Sequence, residues 1–106
     1  VAFTIDLTET EFQKQVVRTA EKFGWEWMHI GRTGTHVPNG AKGTLGPGWP
    51  DLLLVRGDRL VIAELKAEKA PPPTQQQLWV LDQLRAVAMV YVWRPSQMNL
   101  ILEVLR

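Results

Sequence analysis

The chain predicts an α/β fold with elements in the order α-β-β-β-α-β-α, and three observations carry this. The first segment repeats apolar residues at helical spacing. Two consecutive apolar runs, 51–55 and 60–65, are separated only by a short polar turn. A short apolar run near the C-terminus lies between two further segments of helical period. Runs apolar on both faces are the mark of central strands covered by helices.

Taken in order, residues 8–23 predict a helix, because Phe12, Val16, Ala20 and Phe23 form one apolar stripe and Gly24 stops it. Residues 25–30 are rich in aromatic and bulky side chains and predict a strand. Residues 31–48 hold six glycines and two prolines and predict a long loop, with Arg32, His36 and Lys42 as its basic residues and no acid. Gly57-Asp58 joins the two apolar runs as a hairpin. Pro71-Pro72-Pro73 is a stiff connector, and Thr74 caps a helix over 75–88 with Leu78, Leu81 and Leu84 at helical spacing. Residues 88–93 predict a short strand. Pro95-Ser96 opens a last helix that buries Met98, Ile101, Leu102 and Leu105.

Bulk properties bound the function. A chain of 106 residues makes one domain, 1–106, with a single modest core. Its composition, 45% hydrophobic and 22% charged, is that of an ordinary soluble globular protein. The absence of cysteine excludes disulfides and thiolate metal sites and fits a reducing compartment. No apolar run approaches a membrane span and no signal peptide is visible at Val1, so the expected location is the cytoplasm, with no membrane partner. The net charge of +1 leaves nucleic-acid chemistry open, since positive charge can be local.

The residues that could carry chemistry are concentrated at two strand ends. Gly48-Trp49-Pro50-Asp51 forms a turn at the mouth of one strand, and Glu64-Leu65-Lys66 follows thirteen residues after the aspartate, at the end of the next. Side chains at i and i+2 of a strand share a face, so Glu64 and Lys66 point together. If the strands pair, Asp51, Glu64 and Lys66 converge. Two carboxylates can hold a hard divalent cation, and a lysine beside them can orient or deprotonate water. Taken alone, Asp51 reads as a turn residue and Lys66 as a solvated strand end. Glu64 lies inside a run that looks buried and needs a partner or a metal. The structural alternative is an ion pair of Lys66 with either acid. Glu11 is a candidate third carboxylate, but Thr8-x-x-Glu11 is also a capping box. Gln75, Gln76 and Gln77 read as a polar helix face. His29 and His36 are not spaced as a zinc pair. The 31–48 loop ends without Gly-Lys-Ser/Thr and is no Walker loop; Arg32, His36 and Lys42 suit it to phosphate contacts.

Four elements in this order, Glu11-Phe12-Gln13, Gly48-Trp49-Pro50-Asp51, Glu64-Leu65-Lys66 and Gln76-x-x-Trp79, resemble the VRR-NUC domain of the PD-(D/E)XK nuclease superfamily across about residues 8–93. The resemblance implies a restriction-endonuclease-like three-layer core, a central mixed sheet flanked by helices. It implies magnesium or manganese held by Asp51, Glu64, the Leu65 backbone carbonyl and Glu11, with Lys66 aligning water and Gln76 supporting Lys66 or the phosphate. It implies a compact phage or bacterial protein that dimerises and cuts branched DNA such as Holliday junctions, without an organic cofactor. The five tryptophans also suggest an interface, because they exceed what a small core readily hides. The expected function is therefore a metal-dependent, structure-selective endodeoxyribonuclease. The alternative is a non-catalytic nucleic-acid-binding or assembly module with a structural Asp/Glu/Lys network.

Overall fold

The computed structural model describes residues 5–30 and 48–106. The chain opens with helix α1, Glu9–Lys22. Thr8 starts it: its hydroxyl accepts from the Glu11 N–H at 3.1 Å, and the Glu11 carboxylate accepts from the Thr8 N–H at 2.9 Å. These bonds satisfy donors that a helix start otherwise leaves open. Strand β1, Glu26–His29, follows and pairs antiparallel with β2, Leu52–Arg56. A turn at Gly57, whose φ of 61° favours glycine, returns the chain as β3, Arg59–Leu65. Helix α2, Gln75–Leu84, then crosses over to β4, Met89–Trp93, which runs parallel to β3. A 3₁₀ turn over Pro95–Gln97 leads into α3, Met98–Leu105. The result is a four-stranded mixed sheet in the order β1-β2-β3-β4.

The register explains the burial. Leu52 lies opposite Ala63 and Leu54 opposite Val61. With Leu65 they face Phe12, Val16 and Ala20 of α1 and Met98, Ile101 and Leu105 of α3 in one core. Removing each such large apolar side chain from water contributes about 1.5–3 kcal/mol. The alternate residues of β3, Ile62 and Glu64, turn to the opposite face, where α2 buries Val80 and Leu81. Helices therefore cover both faces, and β3 between them is buried along its last five residues.

The far end of the sheet is tied to α3 by polar contacts. The Trp25 indole N–H donates to the Leu105 carbonyl at 2.8 Å. The guanidinium groups of Arg56 and Arg59 lie 4.7 and 5.0 Å from the Trp25 ring and donate to the Leu105 and Val104 carbonyls. Cations at a helix C-terminus satisfy orphan carbonyls and complement the dipole.

Two sequence expectations need correction. The second helix ends at Leu84, short of Ala88, because the N–H groups of Val87 and Ala88 both turn back to the Leu84 carbonyl. This turn delivers Met89 into register with Val61. Of the expected stripe, Leu81 is buried but Leu78 is 47% exposed; Val80 takes its place beside Leu81 on the buried side of α2. Among the described residues no helix is long and apolar enough to cross a membrane.

Candidate active site

Asp51 and Glu64 lie opposite each other where β2 begins and β3 ends, one step beyond the Leu52–Ala63 pair. The backbone of Asp51 is held between two strands. Its N–H donates to the Ala63 carbonyl at 3.1 Å, and its carbonyl accepts from the Ile30 N–H at 2.8 Å. Its carboxylate Oδ2 accepts from the Leu65 N–H at 2.8 Å. Asp51 is 5% and Glu64 2% exposed, so the pair is withdrawn from bulk water.

The turn that delivers Asp51 depends on Gly48. Its φ is +97°, and a Cβ there would stand 2.9 Å from Gln76 Cγ and 3.1 Å from the Gln76 backbone. Only glycine combines that backbone conformation with so close an approach. Gln76 is thus a packing partner of the Gly48 turn and is itself exposed.

The neighbouring residue completes the site. Thr74 and Gln77 form a capping box: Gln77 Oε1 accepts from the Thr74 N–H at 2.8 Å, and the Thr74 hydroxyl accepts from the Gln77 N–H at 3.1 Å. The cap fixes the amide. Its oxygen also accepts from Lys66 Nζ at 3.2 Å, and its nitrogen donates to Glu64 Oε2 at 3.0 Å. Lys66 Nζ stands 3.4 Å from the same Oε2. The resemblance put the supporting glutamine at 76. Successive helical residues are turned by about 100°, and the capping box places 77 toward the strands. The Thr74-x-x-Gln77 spacing was a signal in the sequence that could have found it.

The electrostatics of the pair are unequal. Burial pushes the Glu64 carboxyl up from its ordinary 4.5 to about 7; the Asp51 charge adds to the rise and Lys66 opposes it. Glu64 Oε1 is buried and accepts no hydrogen bond. The protonated carboxyl is held by a hydrogen bond with Asp51, whereas the ionised form leaves a buried acceptor without a donor, which is costly. The backbone adds one more oxygen. Lys66 N–H donates to the Trp93 carbonyl of β4, and strand residues alternate, so the N–H and C=O of Leu65 point to the Asp51 side. The Asp51 carboxylate, Glu64 Oε1 and the Leu65 carbonyl are hard oxygen donors of the kind that magnesium and manganese accept. The unpartnered Oε1 is the observation that such a cation fits.

The other expected residues divide. Among the described residues no three histidine, aspartate or glutamate side chains form a metal-holding group, so Asp51 and Glu64 stand as a pair. Glu11 makes the bonds of its capping role, and the Thr8 N–H holds its carboxyl below the usual range. Arg32, His36 and Lys42 lie outside the described residues. Of the tryptophans, Trp25 and Trp93 are core residues at 3% exposure, whereas Trp79 is 64% exposed on the outer side of α2.

Comparison with protein-family models, curated proteins and solved structures gives no match. Fold and site define a mixed α/β domain with a buried carboxylate pair, one lysine and one capped glutamine at adjoining strand ends.

Proposed function

We propose that this chain is a metal-dependent endodeoxyribonuclease with a restriction-endonuclease-like core. The observation that carries the reading is the buried Asp51–Glu64 pair, whose Oε1 lacks a donor while Lys66 lies beside the opposite oxygen. Asp51, Glu64 and the Leu65 carbonyl would hold magnesium or manganese. The bound cation would stabilise charge growing on the phosphoryl oxygens and lower the pKa of a coordinated water.

Lys66 is placed to orient that water and to offset the charge of the scissile phosphate. Gln77 holds the Lys66 amine from one side and Glu64 from the other, so the lysine is aimed before substrate arrives. Glu64, with its proton held up to about pH 7, is ionised for metal only toward neutral and alkaline pH. The structural-network reading is favoured by the 3.4 Å Lys66–Glu64 bridge, by the Gln77 bonds to both residues and by the hydrogen bond between the two carboxyl groups. It does not account for two carboxyl groups placed against each other in a buried site, where each opposes the ionisation of the other.

Branched DNA is the proposed substrate and a two-fold dimer the proposed assembly, because paired cuts in opposed strands match two sites related by one axis. The exposed Trp79, Leu78 and Val87 supply apolar surface for such an interface. The test is nicking of supercoiled plasmid, and cleavage of labelled duplex, flap, splayed-arm and four-way-junction DNA, with magnesium or manganese against EDTA. Metal-dependent cleavage that is lost in Asp51→Asn supports the nuclease. Absence of cleavage from every substrate with both metals supports the structural network.

A further inference from the structure

A second feature lies on the other side of the sheet, between α1 and the edge strand β1. A groove of about 400 Å³ is lined there by Thr10, Lys14, Arg18, Glu21, Trp27 and His29. Thr10, Lys14 and Arg18 recur at intervals of four residues and form one ridge along the helix. Lys14 and Arg18 are exposed and form no salt bridge among the described residues; Lys14 lies near the Glu11 carboxylate, which the Thr8 cap engages. The one acid, Glu21, is engaged at the far end of the groove, where its carboxylate accepts from the Trp27 indole at 3.0 Å.

The opposite wall is polar and oriented. His29 Nδ1 lies 2.8 Å from the Gln13 amide, which leaves Nε2 as the ring nitrogen not engaged with α1. The Trp27 ring meets His29 edge-on with centroids 5.2 Å apart, which fixes the imidazole further. The His29 end of the groove is one strand away from the carboxylate pair. His29 is in register with Leu52, and the next residue, Ile30, donates its N–H to the Asp51 carbonyl.

We propose that this groove binds the sugar-phosphate backbone of a DNA strand. Lys14 and Arg18 contact phosphates one helical turn apart, and His29 Nε2 donates to a third phosphate oxygen. The inference rests on the nuclease reading for the identity of the polymer. The groove would position DNA without reading its sequence.

The experiment is fluorescence anisotropy of a labelled four-way junction in EDTA, where binding proceeds without cleavage, over a salt series. Wild type is compared with Lys14→Ala/Arg18→Ala and with a control that removes the same charge elsewhere, Lys69→Ala/Arg85→Ala. Both pairs are exposed, and alanine favours the helix at 14 and 18, so the groove variant should fold; circular dichroism verifies this. The groove variant should bind at least tenfold more weakly, and its slope of log K against log salt should be shallower by about 1.8, at about 0.9 per lost phosphate contact. The control should change less than threefold. Equal loss in both variants, no loss in the groove variant, or no binding by wild type overturns the groove. Plasmid nicking in magnesium is scored in parallel: persistent nicking with an unaffected groove variant refutes the groove alone, whereas absent nicking refutes the nuclease.

Discussion

At the scale of single residues, Glu64 carries the conflict between stability and use. Its folded-state pKa of about 7 lies above its ordinary 4.5. A carboxyl raised in this way lends stability while protonated, so the contribution is complete below pH 4.5 and is lost as pH rises through about 7. Metal-free protein should therefore lose stability across that window. Glu64→Gln should show no such slope and should be more stable than wild type at pH 8 by about 1–3 kcal/mol, while losing activity; denaturant melts at pH 5 and pH 8 read the difference. A Glu64→Gln protein less stable than wild type at pH 8 would contradict the assignment. Gln77 makes a second test. Gln77→Glu keeps an oxygen for the Thr74 cap and for Lys66 but replaces the donor to Glu64 with a like charge. The acidic limb of the pH–rate profile should move upward, whereas Gln76→Ala should leave it in place. An unmoved limb in Gln77→Glu would remove Gln77 from the site.

At the scale of elements, the sequence was most readable where period and punctuation agreed. The Phe12, Val16 and Ala20 stripe, the Thr8 cap and Gly24 bounded α1 to within a residue or two. The hairpin of β2 and β3 followed from two apolar runs around Gly57-Asp58. The convergence of Asp51, Glu64 and Lys66 was legible because pairing registers and strand alternation are simple rules. The face of α2 was harder to read. Leucines at 78, 81 and 84 suggested one stripe, but Val80 and the capped Gln77 share the buried side, and a three-glutamine run offers no local reason to prefer one member. Which glutamine meets Lys66 is a tertiary fact, set by how the cap seats the helix. The Gly48 turn is the element-scale prediction. Gly48→Ala must enter a positive-φ conformation and push against Gln76. It should cost about 1–3 kcal/mol and displace Asp51, lowering cleavage as well as the melting temperature. A stable, fully active Gly48→Ala protein would show that the turn does not position the aspartate.

At the scale of the whole molecule, the two faces of the sheet differ. One is closed by α1 and α3 over a continuous core. The other is crossed by α2, which leaves Leu78 and Trp79 exposed on its own surface, with Val87 beyond its end. The sequence suggested that tryptophans would reach an interface; it read Trp79 as a core residue, but Trp79 is the most exposed of those described, and the proposed dimer would use it. Trp79→Glu should convert a dimer to a monomer in sedimentation equilibrium at micromolar concentration, without loss of folding, since the side chain makes no core contact. An unchanged dimer would move the interface elsewhere, and a monomeric wild type would refute the assembly. The central claim is the carboxylate pair as a cation site, and manganese calorimetry at pH 6.5 tests it most directly. Wild type should bind the ion and release protons from Glu64, seen as a heat that varies with buffer ionisation, while Asp51→Asn and Glu64→Gln should each lose most of the affinity. Unchanged binding in both variants, or no binding by wild type, would contradict the account.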